Sequence, residues 1–184
     1  GKRLKETIPM KVGANQLILI DSLHGLYENM TASIPEEHKF RLYIETLSQM
    51  RGPDDKYVRW TDIRLLRRMV RDRVHRNYNP EQTVGHWHYV RRSELKHIIP
   101  YINSVDFRLN SALPYELPVL KNNVYSSLPS IMDSYSGQQK KMDAYLRAKR
   151  LYDLLSAVEP LKDCSCIPET SLLREFIGGG IYGQ

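Results

Sequence analysis

The chain has 184 residues and a mass of 21.5 kDa, with 41% apolar and 26% charged residues, the make-up of one globular domain with at most a small appendage. No apolar run approaches the length of a membrane span, no apolar leader opens the chain, and two cysteines, Cys164 and Cys166, cannot build a disulfide framework, so the expectation is a reducing, cytoplasmic protein. Lys and Arg exceed Asp and Glu by 27 to 21, and the segment from Arg51 to Arg76 alone holds nine basic residues against four acids, which points to a polyanionic partner, nucleic acid or nucleotide phosphates.

In chain order, Ile8, Met10 and Val12 alternate like an edge strand. Leu17 to Ile20 is a short apolar run ending at Asp21, and it reads as a strand buried on both faces of a parallel sheet. Lys39 to Leu47 reads as a second strand, after a loop or short helix containing Pro35. Asp62 is placed to cap a helix running to about Val74 or His75. Leu65, Leu66, Met69, Val70 and Val74 form its apolar stripe, and Arg64, Arg67, Arg68 and Arg71 recur at helical spacing on the opposite face. Pro80 suits the first position of another helix continuing towards Ile99. Asp106 to Asn110 looks like a third strand. A stretch punctuated by Pro114, Pro118 and Pro129 has no clear assignment. Gln139 to Val158 reads as a helix with Met142, Tyr145, Leu146, Tyr152 and Leu155 on one face, and Ser171 to Ile177 as a last turn or two stopped by Gly178. Strands alternating with helices predict an α/β fold with a mainly parallel sheet.

Two site candidates stand out. The arginine face is either a solvated helix surface or a phosphate-binding one. Four guanidiniums with only Asp62, Asp72 and Glu81 near them in sequence favour the latter, because the planar Arg fork grips phosphate oxygens in pairs. Asp21, at the carboxyl end of an apolar strand, is placed either to hold Mg²⁺ or to cap the following turn. Cys164-Ser165-Cys166 and His86-Trp87-His88 lack the spacing of a metal site. Gly178 to Gly180 reads as a flexible tail rather than an anion nest. The chain contains no G-x-x-x-x-G-K-[ST], G-x-G-x-x-G or G-x-S-x-G motif.

The run Thr61 to Asp72 (TDIRLLRRMVRD) resembles the arginine-rich lid helix of the uridine kinase and phosphoribulokinase family. Leu17 to Leu26 (LILIDSLHGL), Tyr89 to Lys96, Asp106 to Leu113 with Tyr115 to Leu117, and Ile167-Pro168 followed by Ser171 to Gly179 resemble, in order, segments of its bacterial uridine kinase-like branch. The resemblance spans nearly the whole chain. It implies the C-terminal part of a P-loop NTPase-like parallel sheet with flanking helices, a lid region over about 51–99 and a C-terminal helical part over about 138–184. The activity implied is transfer of the γ-phosphoryl of ATP to a nucleoside 5′-hydroxyl. By position in the motifs, Arg68 lies near the acceptor and Arg71 and Arg76 reach the phosphates. Arg64, Asn110, Ser111 and Ala112 fall on the cofactor side, the last three beside the adenine, and Asp21 matches the acid that helps hold Mg²⁺. Tyr78 stands where many relatives carry another lid arginine. The family's P-loop and catalytic aspartate have no counterpart here, which implies a chain inactive by itself. A basic RNA-binding module, in which rings should interleave with the arginines, and a non-catalytic pseudo-kinase piece are the alternatives, and a homo-oligomer is compatible with each.

Overall fold

The computed structural model describes residues 9–182. Its two strands, β1 (Leu42–Glu45) and β2 (Phe107–Asn110), pair in parallel with Leu42 opposite Phe107 and Glu45 opposite Asn110. Between them run the helices α1 (Trp60–Arg76) and α2 (Pro80–His97), and after them α3 (Glu116–Val124), α4 (Leu128–Tyr135), α5 (Met142–Ser156) and the single turn α6 (Arg174–Ile177). The fold is α/β, dominated by helix, with a two-stranded parallel sheet. No helix among the described residues is long and apolar enough to cross a membrane.

The core is helical. Ile63, Leu65, Leu66, Met69 and Val70 of α1 are fully buried, and the helix packs on α2, α3 and α6. Each such side chain contributes roughly 1.5–3 kcal/mol of hydrophobic burial. Val84 and Trp87 of α2, Val119 and Leu120 of α3, Leu128 of α4 and Leu151 and Leu155 of α5 close the same cluster. Val74, the last member of the expected α1 stripe, is exposed.

Several expectations hold closely. β1 and β2 fall inside the segments read as strands, α2 starts at Pro80, and Gly178 ends α6 with φ +85°, a conformation that glycine tolerates. Others are corrected. Leu17 to Ile20 forms no strand: its backbone joins no ladder, and Leu17 and Leu19 are 88% and 86% exposed. A strand exists only where a neighbour takes its N–H and C=O groups, and among the described residues the two strands present take each other's. Met10 and Val12 are likewise exposed and outside any strand, while Ile8 lies outside the described residues. The proline-punctuated stretch is helical, with Pro118 in the first turn of α3 and Pro129 in the first turn of α4, where a missing N–H costs no helix bond. Of the expected α5 face, Leu155 is fully buried and Tyr145 and Tyr152 pack against the core, beside Ala144, Ala148, Leu151 and Leu154, whereas Met142 and Leu146 are half exposed.

Candidate functional site

The arginines of α1 meet carboxylates that lie far away in sequence. Arg64 pairs with Glu45 at the end of β1 (3.4 Å) and with Glu94 of α2, which also binds Arg91. The Trp60 ring lies 5.8 Å from the Arg64 guanidinium carbon and 5.0 Å from that of Arg91. Arg67 is buried: its Nε donates to Glu116 Oε2 at 2.6 Å and its Nη2 to the Ser111 carbonyl at 2.7 Å. Arg71 reaches Glu175 of α6 at 3.2 Å, and Arg73 donates to the Asn123 carbonyl. The expectation of an uncompensated basic face is therefore corrected: Glu45, Glu94, Glu116 and Glu175 supply the missing charge. Asp62 does not cap α1 either. The helix begins at Trp60, and the buried Asp62 carboxylate takes two hydrogen bonds from Arg150 of α5, at 2.6 and 2.7 Å. That bond holds the Arg150 guanidinium more firmly protonated than usual.

Burial acts on the group at the end of β1. It pushes the Glu45 carboxyl above its ordinary range, against the pull of the Arg64 guanidinium and the Thr46 N–H. It also raises the Tyr43 phenol, helped by the negative charge of Glu45, whose carboxylate accepts the phenol's hydrogen bond at 3.1 Å.

Arg68 and Arg76 behave differently from the other arginines. Both reach one carboxylate, Asp72, at 2.7 and 3.3 Å, as i, i+4 neighbours on either side of it. Asp72 is almost fully buried and also accepts from Thr83 Oγ1 at 3.1 Å. The three groups form the floor and one wall of a groove of about 330 Å³ between α1 and α2, closed on the other side by Tyr78, His86 and Trp87. Asn77 makes the turn between the two helices in the left-handed conformation (φ +50°), and Asn79 caps α2 by accepting from Glu81 N at 3.0 Å. Two guanidiniums share one carboxylate here, and a guanidinium carries five N–H groups, so donors remain for an anion entering the groove.

The other sequence-derived residues fall elsewhere. Asn110 stitches the two strand ends together, accepting from Leu47 N and Ala112 N and donating to the Leu47 carbonyl. Ser111 N donates to the Glu45 carbonyl at 2.8 Å, and Ser111 receives Arg67. Asn110, Ser111 and Ala112 thus lie with Arg64 and Arg67 at the carboxyl end of the sheet, where open α/β sheets carry their ligands. Asp21 is exposed, at the end of a segment that is not a strand, and no cluster of three or more metal-ligating side chains occurs among the described residues. Asp21 therefore does not fit a magnesium centre formed from the described residues. Cys164 and Cys166 are free thiols.

The groove's second wall was not singled out from sequence. Its signal was present: Thr83, His86, Trp87 and Val90 recur at i, i+3, i+4 and i+7 on α2, and Asp72 stands four residues from both Arg68 and Arg76. Comparison with family models, with curated proteins and with solved structures finds no match for this chain.

Proposed function

We propose that this chain is the lid-bearing, C-terminal part of an ATP-dependent nucleoside kinase-like protein of the uridine kinase and phosphoribulokinase type, and that its α1–α2 groove receives the polyphosphate of the nucleotide. The observation that carries the reading is the convergence of Arg68 and Arg76 on Asp72 in an open groove. Phosphoryl transfer asks the protein mainly for positioning and charge neutralisation, and a pair of guanidiniums facing one groove supports both. Arg71, held by Glu175, is a further phosphate ligand if the lid closes, and Asn110, Ser111 and Ala112 mark the adenine side. ATP is the phosphoryl donor in this reading and a nucleoside the acceptor.

The sheet supports the same reading. Leu42 and Ile44 of β1 and Phe107 and Leu109 of β2 are about half exposed. Parallel strands are normally covered on both faces, so this sheet suits a larger one. The chain has no phosphate-cradling loop, and transfer accordingly needs a polypeptide that brings one.

The test uses Trp87, which lines the groove, as reporter in a Trp60→Phe background. Titration with ATP and with inorganic tripolyphosphate is expected to change its emission. Arg68→Glu/Arg76→Glu is expected to abolish the response to both. Absence of a response in the wild-type groove, or a response that survives the double reversal, refutes the polyphosphate role. Phosphorylation of a nucleoside panel by the natural-length protein then names the acceptor.

A further inference from the structure

We propose that the exposed face of α2 beyond the groove is a binding surface for single-stranded nucleic acid. This goes beyond the nucleotide-lid reading, and it rests on residues outside the groove except for His86, which borders both.

His86, Tyr89, Arg92 and Lys96 follow one another at steps of three or four residues along one stripe of α2. The stripe is about 15 Å long at 1.5 Å per residue. Tyr89 is 59% exposed, and its ring is braced by two imidazoles: its centroid lies 3.9 Å from that of His88 and 6.3 Å from that of His86, both tilted rather than stacked. The histidines are themselves fixed, His86 Nδ1 on the Gln82 carbonyl at 2.9 Å and His88 Nδ1 on the Gly85 carbonyl at 3.0 Å. An exposed aromatic ring already braced by its neighbours presents a flat platform at little ordering cost.

The charge beside this platform is unspent. Arg92 and Lys96 are exposed and make no hydrogen bond or ion pair with the described residues, in contrast to the arginines of α1. The nearest acid on the helix, Glu94, is buried and bound by Arg64 and Arg91, so it does not offset them at the surface. The stripe sets rings beside cations that have no partner among the described residues, which is what an unpaired strand requires: bases stack on the rings and phosphates meet the cations. A duplex keeps its bases stacked on each other, and an acidic peptide offers no flat partner for Tyr89, so a single strand fits best.

The test measures fluorescence anisotropy of labelled single-stranded RNA and DNA of about 12 nucleotides, a length within the usual footprint of such surfaces, with the full chain. A duplex and inorganic polyphosphate are the competitors. Binding is expected to weaken steeply with salt, and Tyr89→Ala to reduce affinity roughly 5- to 150-fold, the usual effect of losing a stacking ring. Tyr89→Phe is expected to retain it. Arg92→Ala/Lys96→Ala is expected to lower the slope of log affinity on log salt by about 1.4, for two lost phosphate contacts on a single strand. All three positions are at the surface, and circular dichroism checks that the variants fold. No binding, or binding that Tyr89→Ala leaves unchanged and that polyphosphate competes as well as the strand does, overturns the proposal. The tripolyphosphate response of Trp87 is expected to persist in Tyr89→Ala and Arg92→Ala/Lys96→Ala, so failure of this surface and failure of the groove are told apart.

Discussion

Glu116→Gln tests the claim that Arg67 is a structural cation rather than a ligand-binding one. Glu116 is fully buried, and its carboxylate accepts from Arg67 Nε at 2.6 Å, from Leu113 N at 3.1 Å and from Thr46 Oγ1 at 3.4 Å. The group therefore ties α1 to the end of β1 and to the loop entering α3. Glutamine keeps the size and one acceptor but removes the charge. Arg67, 7% exposed and unable to shed its proton, is left as an uncompensated buried cation. Breaking a buried pair in this way costs about 3–5 kcal/mol. For a chain of this length that is a fall in Tm of roughly 6–20 °C. Urea and thermal denaturation followed by far-UV circular dichroism read the effect. The double variant Arg67→Met/Glu116→Gln is expected to recover much of the loss, since no lone charge then remains inside. A Glu116→Gln protein within about 0.5 kcal/mol of wild type, the usual scatter of surface changes, refutes the reasoning. So does a double variant no more stable than the single one.

Three further outcomes follow from local geometry. In Gly85→Ala the new methyl would meet the Tyr135 hydroxyl at 2.5 Å, where that hydroxyl donates to the Glu81 carbonyl, so the expected overpacking loss of about 1–3 kcal/mol outweighs the gain in helix propensity; a raised midpoint in urea denaturation contradicts it. Asn79→Ala removes the α2 cap and is expected to lower stability by about 1 kcal/mol, with Asn79→Ser restoring most of it in the same assay. Glu45 has a folded-state pKa raised by burial, so the unfolded chain releases this proton first and the native state loses stability as pH rises from about 4.5 through the folded value. The stability of wild type relative to Glu45→Gln should therefore decline over that interval and then level off; a difference that stays flat or grows sinks the assignment.

Local signals made much of the fold legible. Pro80 at the start of α2, Gly178 after Ile177, and the short strand segments containing β1 and β2 each carry their cause within a few residues. What sequence misplaced depends on partners distant in the chain. Leu17 to Ile20 has the composition of a central strand, but composition does not provide the neighbouring strand on which a ladder depends. On α5 the expected face holds at Tyr145, Tyr152 and Leu155, but Met142 and Leu146 are half exposed and Ala144 and Ala148 are buried. The arginine face looked unopposed for a similar reason: Glu116 lies 49 residues from Arg67 and Glu175 lies 104 from Arg71. No window along the chain pairs them.

This pairing sorts α1 into two kinds of arginine, and the sorting bears on function more than the number of charges does. Arg67 is enclosed by Glu116 and Ser111, and Arg64 is held between two largely buried carboxylates, so a ligand could recruit either only by dismantling the contacts around the strand ends. Arg68 and Arg76 rest on an acid that belongs to their own helix and open onto a groove. An anion can bind them while Asp72 keeps its bond from Thr83, so the helix pair need not unfold to accept it. Asp72 also moderates the repulsion between the two guanidiniums before any ligand arrives. Both guanidiniums are thus held at the groove by contacts within the chain itself, the preorganised arrangement that an anion site needs.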